Sequence, residues 1–248
     1  MKISVIVPVL YAEPQLDQTL RRLAAQRPAV DVEILLVIDV PDPAREVEAR
    51  AANDPLAERY RAVAAYRIGQ RGFGSALRHG FSAATGDAMV PFMGDCSDRP
   101  EDLPRMAAAL EGGLDVVAGS RYMPGGGIVG NTTKQRLSRA YSVLMRAAGG
   151  PRIHDVSNAF KAYRRAVVET VTTQAQSFDI SVELPVRAAQ AGFRVGEIPT
   201  VWTNRELGRS NFRLWDELRH YGRWLALAAR GPRPGVVSTC ATDAPGGR

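Results

Sequence analysis

The chain has 248 residues, 45% hydrophobic and 23% charged, which fits one large α/β domain and excludes fibrous and disordered classes. No apolar run approaches the ~20 residues that a spanning helix needs. Net charge is +6 with only three lysines (Lys2, Lys134 and Lys161), so the positive charge is nearly all arginine, whose planar fork suits phosphate. Nucleotides, lipid phosphates and an anionic membrane surface are the partners this favours, although a solvated Arg-rich surface fits the charge equally well. Nucleic acid is not expected, because no basic run interleaved with aromatics stands out on the strands. Cys96 and Cys240 form no disulfide framework, which predicts a reducing, cytoplasmic setting.

Ile3 to Val9 is a β-branched run that predicts a buried strand. It continues into Tyr11-Ala12-Glu13-Pro14 with no cleavage pattern, so the N-terminal stretch does not read as a signal peptide. Leu16, Leu20 and Leu23 repeat at helical spacing, and Ile34 to Ile38 is a second buried strand. Ala44 to Arg61 reads as a helix broken at Asn53-Asp54-Pro55. A helix over Gly74 to Ala84, a strand over Ala88 to Met93, a helix over Pro100 to Leu110 and a strand over Leu114 to Ala118 follow. This alternation predicts a mostly parallel central sheet flanked by helices, with ligands beyond the carboxyl ends of the strands.

The second half is less regular. Met123 to Thr133, with four glycines, reads as a flexible lid. Lys134 to Ala148 is an amphipathic helix with Leu137, Tyr141, Leu144 and Ala148 on one face. Asp179 to Ala191 reads as a helix and Arg194 to Trp202 as a half-exposed strand. The predicted domain spans residues 1–210, followed by an amphipathic helix at 211–230 and a frayed tail at 231–248.

The segment Gly94-Asp95-Cys96-Ser97-Asp98-Arg99-Pro100 carries the most chemistry. Two acids three residues apart at a strand end suit Mg²⁺ or Mn²⁺, which takes one or two carboxylates and fills its shell with phosphates and water. Asp95 and Asp98 are the candidate ligands, with Ser97 as a helper. Asp98 equally fits the N-cap of a helix with Pro100 in its first turn.

These segments together resemble the inverting family 2 glycosyltransferases of GT-A fold, in the branch around dolichol-phosphate mannose synthase. Val5-Ile6-Val7-Pro8, Ile34 to Asp39, Gly72-Phe73-Gly74-Ser75-Ala76-Leu77-Arg78-His79-Gly80, the acidic segment and Asp115 to Tyr122 carry the resemblance. His154 to Arg164, Glu197-Ile198-Pro199-Thr200 and Gly208-Arg209-Ser210 extend it. It implies a GDP- or UDP-linked sugar donor held by Pro8, Tyr11, Glu13, Asp39, Gly72 and Gly74, with Asp95 on the metal and Arg121 at a phosphate or sugar oxygen. Gly72 and Gly74 would bring their loop close to the donor. The chain departs from the branch where Leu10 and Ala12 stand for its Tyr and Glu, so that Tyr11 and Glu13 serve only if the turn shifts by one residue. Ile38 and Met93 replace the first Asp of two further motifs.

The resemblance also implies a polyprenyl phosphate acceptor. Such an acceptor is already anionic and needs cations, offered here by Arg121, Lys134, Arg136, Arg139 and Lys161. A hydroxyl acceptor, the alternative, needs a general base, for which Asp179 and Glu183 are candidates. A degenerate, purely nucleotide-binding protein is the third reading. The aromatic, Arg-bearing stretch Asn211 to Arg230 is expected to meet the cytoplasmic membrane surface, a membrane subunit or its own domain.

Overall fold

The structure, a computed structural model, describes residues 1–130, 133–204 and 214–231, excepting the side chains of 133–134 and 214–220. Gly208-Arg209-Ser210, Cys240, the 232–248 tail and the side chains of Lys134, Trp215 and Leu218 lie outside the described residues.

β1 (Lys2–Leu10), α1 (Leu16–Ala24) and β2 (Asp31–Val40) match the predicted order, and both strands are buried on both faces as their unbroken apolar runs require. α2 (Glu46–Arg59) runs through Pro55 without the expected break. The buried Asn53 side chain donates to the carbonyls of Ala49 (2.7 Å) and Tyr11 (2.9 Å), tying the helix to the turn after β1. β3 (Ala62–Ile68) then forms an edge strand that the sequence pattern did not reveal. α3 (Phe73–Ala83), β4 (Ala88–Pro91), a single 3₁₀ turn at Pro100–Asp102, α4 (Leu103–Glu111) and β5 (Val116–Ser120) follow.

The segment read as a lid contains β6 (Gly127–Val129), which pairs in parallel with a late strand. α5 (Thr133–Ala147), β7 (Lys161–Arg164), α6 (Arg165–Thr170) and α7 (Ile180–Gln190) come next. The expected strand at Arg194 to Trp202 splits at Thr200 into β8 (Val195–Pro199) and β9 (Val201–Thr203), which join different sheets. The last element is α8 (Leu214–Ala229).

The main sheet has the order β3-β2-β1-β4-β7-β5-β8, with β7 antiparallel to its neighbours and the other pairings parallel. Alternate residues feed two core layers. Ile6 and Val37 pack with Leu77, Tyr163, Val182 and Trp224 on one side, while Val5 and Val7 pack with Leu20, Leu36 and Leu110 on the other. β6 and β9 form a small separate ribbon.

α5 is rotated from the expected orientation. Tyr141, Ser142 and Met145 are buried, whereas Leu137 and Leu144 are exposed. Polar bonding sets this rotation, because Ser138 meets Arg121 and Tyr122 while Ser142 accepts from the Val156 amide. On α8, Tyr221, Trp224 and Ala228 pack onto the domain: the Tyr141 hydroxyl donates to the Tyr221 carbonyl (3.0 Å) and Trp224 Nε1 to Asp179 Oδ2 (3.0 Å). The described aromatic face of α8 is therefore covered by its own domain.

Candidate active site

The carboxyl ends of β1, β2, β4 and β5 share one edge because these four strands run the same way. Pro8 is half-buried in β1 opposite Val37. Tyr11 then adopts a left-handed conformation (φ 63°), and its amide donates to the Asp39 carbonyl at 3.0 Å. That conformation turns the chain off the sheet, leaving Leu10 exposed and bringing Glu13 against the acidic segment. A Cβ placed on Gly94 would lie 3.4 Å from Glu13 Cγ. Tyr11 and Glu13, one position later than the family pattern, thus border Asp39 and Gly94.

Asp39 is buried at the end of β2. Burial pushes its carboxyl up to about 6, against the pull of Arg67, the Gly72 amide and Arg71. Arg67 on β3 lies with Nε 3.4 Å from Asp39 Oδ1, close enough for an ion pair but without hydrogen-bond geometry. Arg67 was not singled out from the sequence. The available signal was topological: two helices in succession, α2 and α3, need a strand between them, and that strand would deliver its last polar residue to the rim.

Gly72 (φ 124°) and Gly74 have a local explanation. A Cβ at Gly72 would sit 2.7 Å from the Gln176 carbonyl, and one at Gly74 would sit 2.3 Å from that of Ala175. Both glycines admit the 175–176 segment, and the Gly74 amide donates to Gln176 (2.9 Å). This close approach is to the chain itself, whereas the expected one was to the donor. The Gly72 amide also faces Asp39.

In the acidic segment, Asp95, Ser97 and Asp98 are all buried. Asp95 Oδ1 accepts from Ser97 Oγ (2.5 Å) and its amide (3.2 Å). Asp98 does not cap the following helix; its Oδ2 folds back to accept from the Met93 amide (3.1 Å). Burial and then the Asp95 charge push the Asp98 carboxyl up to about 7. The β6–β9 ribbon closes over this segment through the Thr203 amide, which donates to the Ser97 carbonyl (2.9 Å). Two neighbouring buried carboxylates with hard oxygens are a fitting donor set for Mg²⁺ or Mn²⁺. Among the described residues no group of three or more His, Cys, Asp or Glu gathers, so remaining positions would fall to substrate oxygens and water.

Arg121, after β5, is gripped by buried Asp155. Its Nε and Nη2 donate to the two carboxylate oxygens at 2.6 and 3.0 Å, and its amide donates to Oδ2 at 3.2 Å. Burial works against the guanidinium charge, but Asp155 raises the arginine above its usual range. Burial likewise opposes the Asp155 charge, and Arg121 holds that carboxyl below its usual value. Each of Asp98 and Arg121 senses the other's charge, which joins this cluster to the acidic segment. Lys161, fully buried beneath, donates to the carbonyls of Val156, Asn158 and Ser181. Burial pushes it down to about 7 despite Asp155.

Two expected site residues do not join. Glu183 is buried on α7, and its carboxylate accepts from the amides of Gln174 (2.9 Å) and Ala175 (2.7 Å) and from Arg187 Nε (2.8 Å). Both oxygens of this carboxylate are engaged, so Glu183 anchors the 174–176 segment where a general base was expected. Arg136 lies exposed on α5, outside the buried cluster. His154 bonds locally, its Nδ1 2.5 Å from Glu197 Oε1.

The chain matches the family described as Glycosyl transferase family 2 over residues 4–172. It is 33% identical over 219 residues to the polyprenol monophosphomannose synthase of Mycolicibacterium smegmatis, covering 83% of this chain and 79% of that protein. Identity to the undecaprenyl-phosphate mannosyltransferase of Micrococcus luteus is 31% over 243 residues, or 93% and 96% of the two chains. With the dolichol-phosphate mannosyltransferase of Pyrococcus furiosus it is 28% over 229 residues, 90% of this chain but 63% of that longer protein. Among solved structures, glucosyl-3-phosphoglycerate synthase from Mycobacterium tuberculosis with Mn²⁺, uridine diphosphate and glucosyl-3-phosphoglycerate superposes with a TM-score of 0.64 at 17% identity, covering 94% and 82% of the two chains. Its complex with Mg²⁺ and uridine diphosphate gives 0.65 at 17%, covering 94% and 81%. These superpositions show the fold, which is the GT-A type.

Proposed function

The chain belongs to glycosyl transferase family 2, and on that premise we propose that it moves a hexose, mannose by its relatives' names, from a nucleotide sugar to a polyprenyl phosphate with inversion. The observation that carries this reading is Arg121, held on Asp155, beside the buried Asp95–Asp98 pair at the carboxyl ends of the strands. Asp39 accepts from the donor's nucleoside at one end of the rim. At the other, Arg121 faces phosphate and is kept from swinging away by its two-pronged grip on Asp155. Asp95, with Asp98 and Ser97 beside it, would hold Mg²⁺ or Mn²⁺, which when bound neutralises charge gathering on the departing diphosphate.

The acceptor assignment is supported by what the carboxylates do. A phosphate monoester needs no general base. Glu183 is occupied by amides and Arg187, which disfavours it as the base a hydroxyl acceptor would need.

For the lipid, among the described residues no helix is long and apolar enough to cross a membrane. The exposed side of α5 is the surface suited to lie on one: Leu137, Val143 and Leu144 are 40%, 49% and 56% exposed beside exposed Arg136 and Arg139. The helix carries no acidic residue. Its inner side touches Arg121 through Ser138, so one helix links a lipid surface to the phosphate pocket.

The test is transfer of label from GDP-mannose or a UDP-hexose to polyprenyl phosphate with Mn²⁺ or Mg²⁺. Lipid-linked label that disappears on chelation and in Asp95→Ala supports the reading. Failure of both donors to label lipid overturns it, and label on a soluble hydroxyl acceptor would replace it.

A further inference from the structure

Arg67 is an anomaly on an edge strand. Its side chain is only 3% exposed, although β3 has the sheet on one side alone. Two of its nitrogens are accounted for within the protein: Nη2 donates to Ser75 Oγ (2.7 Å) and Nε to Gln70 Oε1 (3.2 Å). Nη1 is buried and makes no hydrogen bond, and neither does the adjacent Asp39 Oδ1. Buried polar atoms are almost always paired, because leaving one dry forfeits its hydration with no return. Here a dry donor and a dry acceptor stand together at the carboxyl ends of β2 and β3. That is the edge of the sheet where the donor nucleotide is placed, and a ligand with its own acceptor beside a donor would satisfy both.

We propose that Arg67 is a nucleoside-recognition residue: its Nη1 donates to the sugar nucleotide's nucleoside beside the point where Asp39 Oδ1 accepts from it. The proposal rests on the reading of the rim as a nucleotide-sugar site. Through the same ion pair Arg67 also keeps the Asp39 carboxylate charged and aimed. The charged groups facing Asp39 are Arg67 from β3 and Arg71 from the turn before α3. The Gly72 amide adds a further donor, while from the β1 side the Tyr11 amide engages only the Asp39 carbonyl. Burial drives Asp39 toward its neutral form, and Arg67 opposes it. Loss of the guanidinium therefore does two things: it removes one hydrogen bond to the nucleoside, and it shifts the protonation of Asp39 to higher pH. A purely structural Arg67, holding Ser75 and Gln70, would shift Asp39 in the same way but would leave nucleotide affinity unchanged at the alkaline end of the series, where Asp39 is charged in both proteins.

The experiment is calorimetric titration of the full chain with GDP and UDP in the presence of Mn²⁺, across a pH series from about 5 to 8. Wild type is compared with Arg67→Met and Arg67→Lys, with pyrophosphate as the ligand that lacks a nucleoside. Arg67→Met is expected to weaken the preferred nucleotide roughly tenfold while leaving pyrophosphate unchanged. Its loss of nucleotide affinity on acidification should begin at higher pH than in wild type. Arg67→Lys, which keeps the charge without the fork, should restore the pH profile but not the full affinity. Unaltered nucleotide affinity in Arg67→Met at the alkaline end of the series overturns the proposal, as does an equal loss for pyrophosphate. If Arg67→Met fails to fold, unaltered nucleotide affinity in Arg67→Lys overturns it instead. Wild type that binds pyrophosphate but neither nucleotide would overturn the nucleotide-sugar reading itself, a result distinct from every outcome of the variants.

Discussion

Asp155 holds Arg121 by three separate bonds, two from the guanidinium and one from the backbone amide, so a fully buried carboxylate fixes both the direction and the charge of the arginine. Asp155 is itself steadied by the Ser157 hydroxyl and the Asn158 amide, each 3.2 Å from Oδ1. The loop 155–158 is anchored in turn by buried Lys161 through the Val156 and Asn158 carbonyls. A chain of bonds thus reaches from the start of β7 to Arg121.

Asp155→Asn breaks that grip while preserving volume. Breaking a buried ion pair by removing one partner costs about 3–5 kcal/mol, so a clear fall in stability is expected in denaturant melts. The surviving protein should show a raised KM for polyprenyl phosphate and a fall in kcat on the order of 10², with donor KM nearly unchanged. An unchanged acceptor KM would remove Arg121 from the acceptor phosphate.

Glu183→Gln separates the two acceptor chemistries. The glutamine can still accept from the Gln174 and Ala175 amides but loses the charge opposite Arg187, so stability should fall by about 1–3 kcal/mol. Turnover of the folded variant should stay within a few-fold of wild type, whereas removal of a general base lowers it by roughly 10²–10⁴. Steady-state rates normalised to folded fraction decide between the two.

β2 carries two carboxylates with opposite pH behaviour. At its start, burial of Glu33 is outweighed by the hydroxyls of Ser4 and Thr85, the Thr85 amide and Lys2, which hold it at about 2, below its ordinary value of 4.5. Its stabilising contribution is present above that value and is lost as pH falls toward about 2. At the other end, Asp39 is raised from 3.8 to about 6, so its favourable contribution belongs to the neutral form and is lost as pH rises through that window. Comparison of urea midpoints should therefore show Glu33→Gln differing from wild type least at the lowest pH. Asp39→Asn should gain on wild type between about pH 4 and 7. A parallel pH profile for Asp39→Asn and wild type would contradict the burial cost at Asp39.

The parts legible from sequence are those where one physical signal dominates. Unbroken β-branched runs at Ile3 to Val9 and Ile34 to Ile38 belong in the sheet centre wherever they occur, and both are there. β3 was hidden because Ala62, Ala64 and Ala65 carry little strand preference, and an edge strand needs less; Arg67 was hidden with it. The lid reading of Met123 to Thr133 rested on glycine content, but ribbon pairing of β6 with β9 depends on residues some seventy positions away and has no local signature. Glu183 looked catalytic because it is an acid on a helix near the site. Its engagement by Gln174 and Ala175 depends on how the loop before the helix returns, which side-chain type alone does not encode. Leu137 and Leu144 have the periodicity of a core stripe, and only the serines bonded to Arg121, Tyr122 and Val156 turn them outward.

That outward turn carries the last prediction. Exposed leucines flanked by arginines on an acid-free helix favour an anionic lipid surface through two additive forces, apolar insertion and charge attraction. The forces can be separated by sedimentation with vesicles of anionic or neutral phospholipid. Leu144→Asp replaces a side chain already 56% exposed, so the fold should be unaffected, while the vesicle-bound fraction should fall several-fold at every salt concentration. Arg136→Gln together with Arg139→Gln should lower binding mainly at low salt and flatten its salt dependence, because screening already weakens those contacts at higher ionic strength. Wild type that remains in the supernatant with anionic vesicles at low salt would exclude α5 as a membrane-facing surface.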